Sequence, residues 1–110
     1  MRTITAHADI DRLFARGSRT THPALIVLAV ETPEARDPNG RVLFVAGKKL
    51  GSAVMRNRSK RVMRAATRRA GGSWPGWDVA LVARRGTHSA APDVIDAALA
   101  AAVQRLRRDR

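Results

Sequence analysis

No cysteine occurs among the 110 residues, which excludes disulfides and thiolate chemistry and fits a reducing compartment. Histidine is scarce and scattered: His7, His22 and His88 lack the spacing of a metal site. No apolar run exceeds seven residues, the length of Ala24 to Val30, against the roughly 20 needed to cross a bilayer. Lipidation motifs and amphipathic segments with large apolar residues are missing as well, so no membrane partner is expected. The opening MRTITAHADIDRLF has neither the apolar core nor the small-residue cleavage site of a secretory signal, and the expected location is the cytoplasm. Acids are few: 9 Asp and Glu stand against 21 Lys and Arg, a formal charge of +12 with a pI near 11.9. Such a chain repels itself unless an anion offsets the charge, and nucleic acid is the leading partner. Asp9, Asp11, Glu31, Glu34, Asp37, Asp78, Asp93, Asp96 and Asp109 are spread without the clustering of a two-metal nuclease, so no protein-borne catalytic site is expected.

What remains is enough for one α/β domain spanning residues 1–110, with a single two-layer core. Between Ala6 and Arg16 the residues Ile10, Leu13 and Phe14 recur at helical spacing, and Gly17 follows where a left-handed stop would fall. Ser18 to Thr21 reads as a short edge strand. ALIVLAV (residues 24–30) and RVLFVA (41–46) read as strands, and the intervening EARDPNG ends in Asn39-Gly40, a hairpin signal that predicts an antiparallel pair. GGSWPGW is a loop, DVALVAR (78–84) a buried strand, and Pro92 opens a helix that keeps Val94, Ile95, Ala98, Leu99, Val103 and Leu106 on one face. The final RLRRDR is expected to be a frayed, solvated end.

Between these elements lies GKKLGSAVMRNRSKRVMR (47–64), which carries many cations and no Asp or Glu. With Ser52 as N-cap, a helix from Ala53 to about Ala70 gathers Met55, Val62, Met63, Ala66 and Ala70 within an arc of about 100°. The remaining arc holds Arg56, Asn57, Arg58, Lys60, Arg61, Arg64, Arg68 and Arg69. A solvated helix face ordinarily mixes signs to gain i,i+4 pairs, whereas Arg56, Lys60, Arg64 and Arg68 stack like charges at that spacing. Cations in the first turns also oppose the helix dipole. Both costs are recovered by a bound polyanion, and two guanidinium forks flanking the Asn57 amide suit a folded RNA surface. Lys48 and Lys49 extend the patch.

KKLGSAVMRNRSKRVMR closely resembles the signature of the bacterial ribonuclease P protein subunit: an Arg-Asn-Arg core (Arg56, Asn57, Arg58), then Lys60-Arg61 and, three residues on, Arg64. A first helix closing on Phe14-x-x-Gly17, a hairpin, the basic segment, a strand and a final helix follow the family's order over nearly the whole chain. The resemblance implies an α/β sandwich similar to the second domain of ribosomal protein S5, in the order αβββαβα, with the basic segment in a left-handed βαβ crossover, a rare hand. It further implies an accessory subunit, one per catalytic RNA, that assists removal of the 5′ leader from precursor tRNA. Lys48, Lys49, Arg56, Asn57, Arg58, Lys60, Arg61, Arg64 and Arg68 would face the catalytic RNA. The leader would lie in a separate cleft at Ile10, Phe14 and Leu28, and Mg²⁺ would be held mainly by RNA phosphates.

The cleft departs from the family pattern, which favours aromatic residues at these positions; only Phe14 offers a π-face for an unpaired base. The family's common Ser before the paired lysines is Gly47. A structural RNA-binding protein of ribosomal type shares the composition but not the Arg-Asn-Arg signature. A sequence-specific DNA binder is disfavoured, because no helix-turn-helix pairing is present and the charged arc is too wide to read base edges.

Overall fold

The computed structural model describes residues 2–33 and 39–108. Successive side chains of a strand point to opposite sides of a sheet, and here helices cover both sides, so consecutive residues of the central strands are buried. In chain order the elements are α1 (His7–Arg16), β1 (Ser18–His22), β2 (Leu25–Glu31), β3 (Arg41–Val45), α2 (Ala53–Arg69), β4 (Trp77–Ala83) and α3 (Pro92–Arg108). Single 3₁₀ turns at Lys48–Leu50 and Thr87–Ser89 flank α2 and β4. The order αβββαβα is the expected one.

The four strands lie in the order β1-β2-β4-β3. β2 runs antiparallel to β1 and to β4, with Leu28 opposite Ala80, while β3 is parallel to β4, with Leu43 opposite that same Ala80. The expected antiparallel pairing of residues 24–30 with 41–46 therefore does not occur, because β4 lies between them. β4 is the strand with four consecutive buried residues, and only a central seat pairs its backbone on both edges while covering both of its faces. Of the predicted turn, residues 34–38 lie outside the described residues. Gly40 is placed at φ +85, and a Cβ there would stand 2.1 Å from the Trp74 carbonyl oxygen, so the glycine serves a close crossing of two loops.

One sheet face presents Leu25, Val27, Ala29, Val42, Val79 and Leu81 to α2 and α3, where Met63, Ala66, Ile95 and Leu99 complete the larger core. The other presents Leu28 and Ala80 to Leu13 of α1 and to Ile4. A single helix covers this second face, and Ile10, Ile26, Val30, Leu43 and Val82 are left only partly buried. The edge of β3 is extended by residues 2–4: the Val42 N–H donates to the Arg2 carbonyl and the Ile4 N–H to the Val42 carbonyl.

Gly17 ends α1 without a left-handed turn; its backbone is extended at φ −64, ψ 142. A Cβ at this position would lie 2.4 Å from the Leu13 carbonyl oxygen, so glycine is needed for space rather than for handedness. In α3, Val94 is 40% exposed, and Ala102 takes the place it was expected to fill on the buried face. Of the segment RLRRDR, residues 105–108 are the last turn of α3: Leu106 is in the core, and the Arg105 guanidinium donates to the Arg19 carbonyl at 2.9 Å. Asp109 and Arg110 lie outside the described residues. Among the described residues no helix is long and apolar enough to cross a membrane.

Candidate nucleic-acid interface

The basic helix starts where its capping residue dictates: the Ser52 hydroxyl accepts from the Met55 N–H at 3.3 Å. Its buried stripe is Ser59, Met63, Ala66 and Thr67. Two of these are polar, which hid them from a hydropathy reading; the Thr67 hydroxyl donates back to the Met63 carbonyl at 2.9 Å and so satisfies itself within the helix. Ala70, expected in the stripe, is exposed beyond the last turn, while Met55 and Val62 flank the buried line half-covered.

Asn57, Arg58, Arg61, Arg64 and Arg68 are exposed along α2, and Lys48 and Lys49 are exposed on the 3₁₀ turn packed beside its start. Lys60 and Arg56 are half-buried. The Arg56 Nε is fully covered and has no partner, so this arginine works from the flank of the helix and reaches solvent with its far end. Arg69 belongs to a different set: it forms a salt bridge with Asp96 of α3 at 2.8 Å, and that hydrogen bond raises its pKa above the usual arginine value. The exposed face without Arg69 holds no acidic residue.

The turn after β4 packs against α2 and is preceded by two further cations, Arg84 and Arg85. The side chain of Thr87 is buried, where its hydroxyl accepts from the Arg84 N–H at 2.8 Å and donates to the Ala24 carbonyl at 2.6 Å. This fixes Thr87–Ser89 against α2 and leaves Arg84 and Arg85 exposed. Sequence reading took Arg84 as a strand end; the Arg-Arg-Gly-Thr run was the available signal.

On the opposite sheet face, α1 lies across β2. Phe14 is 47% exposed and Ile10 half-buried, but Leu28 is only 2% exposed beneath the helix. Ile10 packs against the cluster that holds the buried Leu28, and Phe14, one turn further along α1, is accessible. The partly covered Ile26 and Val82 continue this face.

A buried ion cluster fixes α1 in place. The Arg41 guanidinium donates from Nη2 to Asp78 Oδ2 at 2.6 Å, from Nε to Asp78 Oδ1 at 3.0 Å and from Nη1 to Asp9 Oδ2 at 3.1 Å, and Thr32 donates its hydroxyl to Asp78 at 3.0 Å. Hydrogen bonding to Asp78 raises the Arg41 pKa, with burial opposing and Asp9 adding to the rise. Two acids that are 69 positions apart in sequence are thereby committed to one arginine, joining the first turn of α1 to β3 and β4.

A family model described as Ribonuclease P matches residues 1–107. The ribonuclease P protein component of Herpetosiphon aurantiacus is 40% identical over 97 residues, covering 87% of this chain and 76% of that protein. The corresponding component of Dehalococcoides mccartyi strain CBDB1 is 34% identical over 85 residues, and the match spans 74% of this chain and 64% of the relative. In three dimensions the fold superimposes on the Staphylococcus aureus RNase P protein with a TM-score of 0.77 at 23% identity, over 94% of each chain.

Proposed function

Since this chain belongs to the bacterial ribonuclease P protein family, we propose that its two unlike surfaces divide the work of a ribonuclease complex. As a protein component it works with an RNA subunit in the 5′ maturation of tRNA. Lys48, Lys49, Arg56, Asn57, Arg58, Lys60, Arg61, Arg64 and Arg68 bind the catalytic RNA. The observation that carries this assignment is the one-signed exposed face of α2, from which Arg69 is turned aside to Asp96.

Precursor tRNA is the substrate, and its unpaired leader lies over Phe14 and Ile10 with Leu28 beneath. One protein serves one RNA. Hydrolysis proceeds on the RNA, and the carboxylates of Asp9 and Asp78 are committed to Arg41. These donors do not fit a protein-held Mg²⁺, which is left to RNA phosphates. The protein lowers their mutual repulsion and positions substrate.

The test is to add the protein to a ribonuclease P RNA at Mg²⁺ too low for the RNA alone, and to measure cleavage of precursor tRNA. Restored cleavage by the wild type, with loss when Arg58 and Arg61 are both changed to Ala, is the expected outcome. RNA binding without restored cleavage would point instead to a purely structural RNA-binding protein.

A further inference from the structure

The two tryptophans of the chain line one pocket on the sheet face opposite to α1. The loop before β4 and the last turns of α3 enclose a pocket of about 290 Å³, lined by Trp74, Pro75, Trp77, Val103, Leu106 and Arg107. A neighbouring depression of about 200 Å³, lined by Ala70, Ala100, Val103, Gln104 and Arg107, shares two of these residues and leads to the C-terminal end of α2. Together they form a groove from Ala70, next to Arg68 and Arg69, to the tryptophan pair.

The lining specifies an occupant. Its walls are apolar and aromatic, so the buried part of a ligand is flat or greasy. Neither lining contains Asp or Glu, and the exposed Arg107 borders both hollows, so the ligand carries negative charge at that point. Trp74 is 7% exposed and its indole N–H is buried without a partner, so what this residue offers the pocket is the apolar part of its ring. The larger hollow is at the small end of ligand sites, the size of a single ring system rather than of a helix or a strand. An unpaired nucleotide combines these properties: a flat aromatic base joined to a phosphate.

We infer that the groove between the Trp74–Trp77 loop and α3 is a second RNA contact, which takes one unpaired nucleotide of a strand running off the C-terminal end of α2, with its base against the tryptophans and its phosphate on Arg107. The assignment rests on the RNA-binding reading of α2, because that face delivers the strand. It makes no use of the Phe14 surface on the other side of the sheet.

The chain has two Trp and no Tyr, so intrinsic fluorescence reports on this pocket alone. Pentauridylate is titrated into the full chain at low salt, with fluorescence read beside the anisotropy of a labelled copy, and a pentamer of abasic ribose phosphates serves as the charge-only control. Pentauridylate should change the fluorescence saturably; the abasic pentamer should bind by anisotropy and leave the fluorescence unchanged. Arg107→Ala should raise the fluorescence midpoint about fivefold or more, whereas Arg108→Ala, an equal loss of charge one residue outside the lining, should raise it less than about twofold. Binding by anisotropy without a fluorescence change, or equal effects of the two substitutions, would overturn the pocket and leave the α2 reading standing. Failure of pentauridylate to bind at all would overturn both. A fluorescence response to an acidic peptide but not to pentauridylate would reassign the groove to a protein partner.

Discussion

Arg64 lies over the ring of Phe44, its guanidinium carbon 5.3 Å from the ring centroid. One cation of the exposed α2 face is therefore set by the sheet before any RNA arrives, and less side-chain freedom has to be lost on binding. Phe44→Leu keeps most of the packing, so stability should fall by less than about 1.5 kcal/mol. Affinity for the RNA subunit should fall by about 0.5–1 kcal/mol, the scale of an exposed cation–π contact. A double-mutant cycle with Arg64→Ala checks this, since strict additivity would show that the ring does nothing for the arginine.

Arg41 should behave as structure and not as part of the RNA footprint. Arg41→Met leaves Asp78 buried without its partner and should cost about 3–5 kcal/mol in denaturant unfolding. The sign of its pH dependence follows from its raised pKa: the contribution is fully present below the ordinary arginine value and is lost only as pH rises through the still higher folded value. The cost of Arg41→Met should thus stay constant between about pH 6 and pH 9, far below any arginine titration.

On α2 the two helix faces should separate stability from binding. Arg58→Ala or Arg61→Ala, both at exposed positions, should weaken RNA-subunit affinity while changing stability by less than about 0.5 kcal/mol. Met63→Asp places a charge at a fully buried position and should unfold the protein. If about 6 phosphates are engaged, the slope of log K against log salt for the wild type should be near −4 to −5. A slope shallower than about −2 would remove the phosphate footprint.

Phe14 carries the leader prediction. Phe14→Leu retains much of the apolar contact, and because the ring is about half exposed the stability cost should be modest. Affinity of the assembled holoenzyme for precursor tRNA with a leader of several nucleotides should fall by about 1–3 kcal/mol, and affinity for mature tRNA should hardly change. Equal losses for the two ligands would mean that Phe14 only packs.

The helical parts of this arrangement were legible in the sequence because their signals are local. Ser52 marks the start of α2, like charges mark its outer face, and Met63 and Ala66 mark its inner one. Long-range pairing was not legible. Asn39-Gly40 suggested that β2 and β3 pair, but the strand that separates them is specified nearly forty residues later, by the burial demand of residues 78–81. Asp9 and Asp78 read as two of nine scattered acids, and only the fold brings both to Arg41. Ser59 and Thr67 are polar by type and buried by geometry, and Arg69 reads as one more cation unless Asp96 is known to face it. Each of these depends on which element lies opposite, and no window of neighbouring residues contains that.

The central seat of β4 also sets an order of events during synthesis. β1 and β2 can pair as soon as they leave the ribosome, since a short turn joins them. β3 has only residues 2–4 along one edge until β4 is made, and the whole of α2 emerges in that interval. Joining β3 to β4 closes a loop of about thirty residues and orders the most cationic stretch of the chain in one step. On the proposed reading, an RNA bound to that stretch would offset its charge and hold it helical while the sheet is still open. Refolding should accordingly be faster with a polyanion present than without one, so that the partner of the finished protein also acts as a template for its last strand.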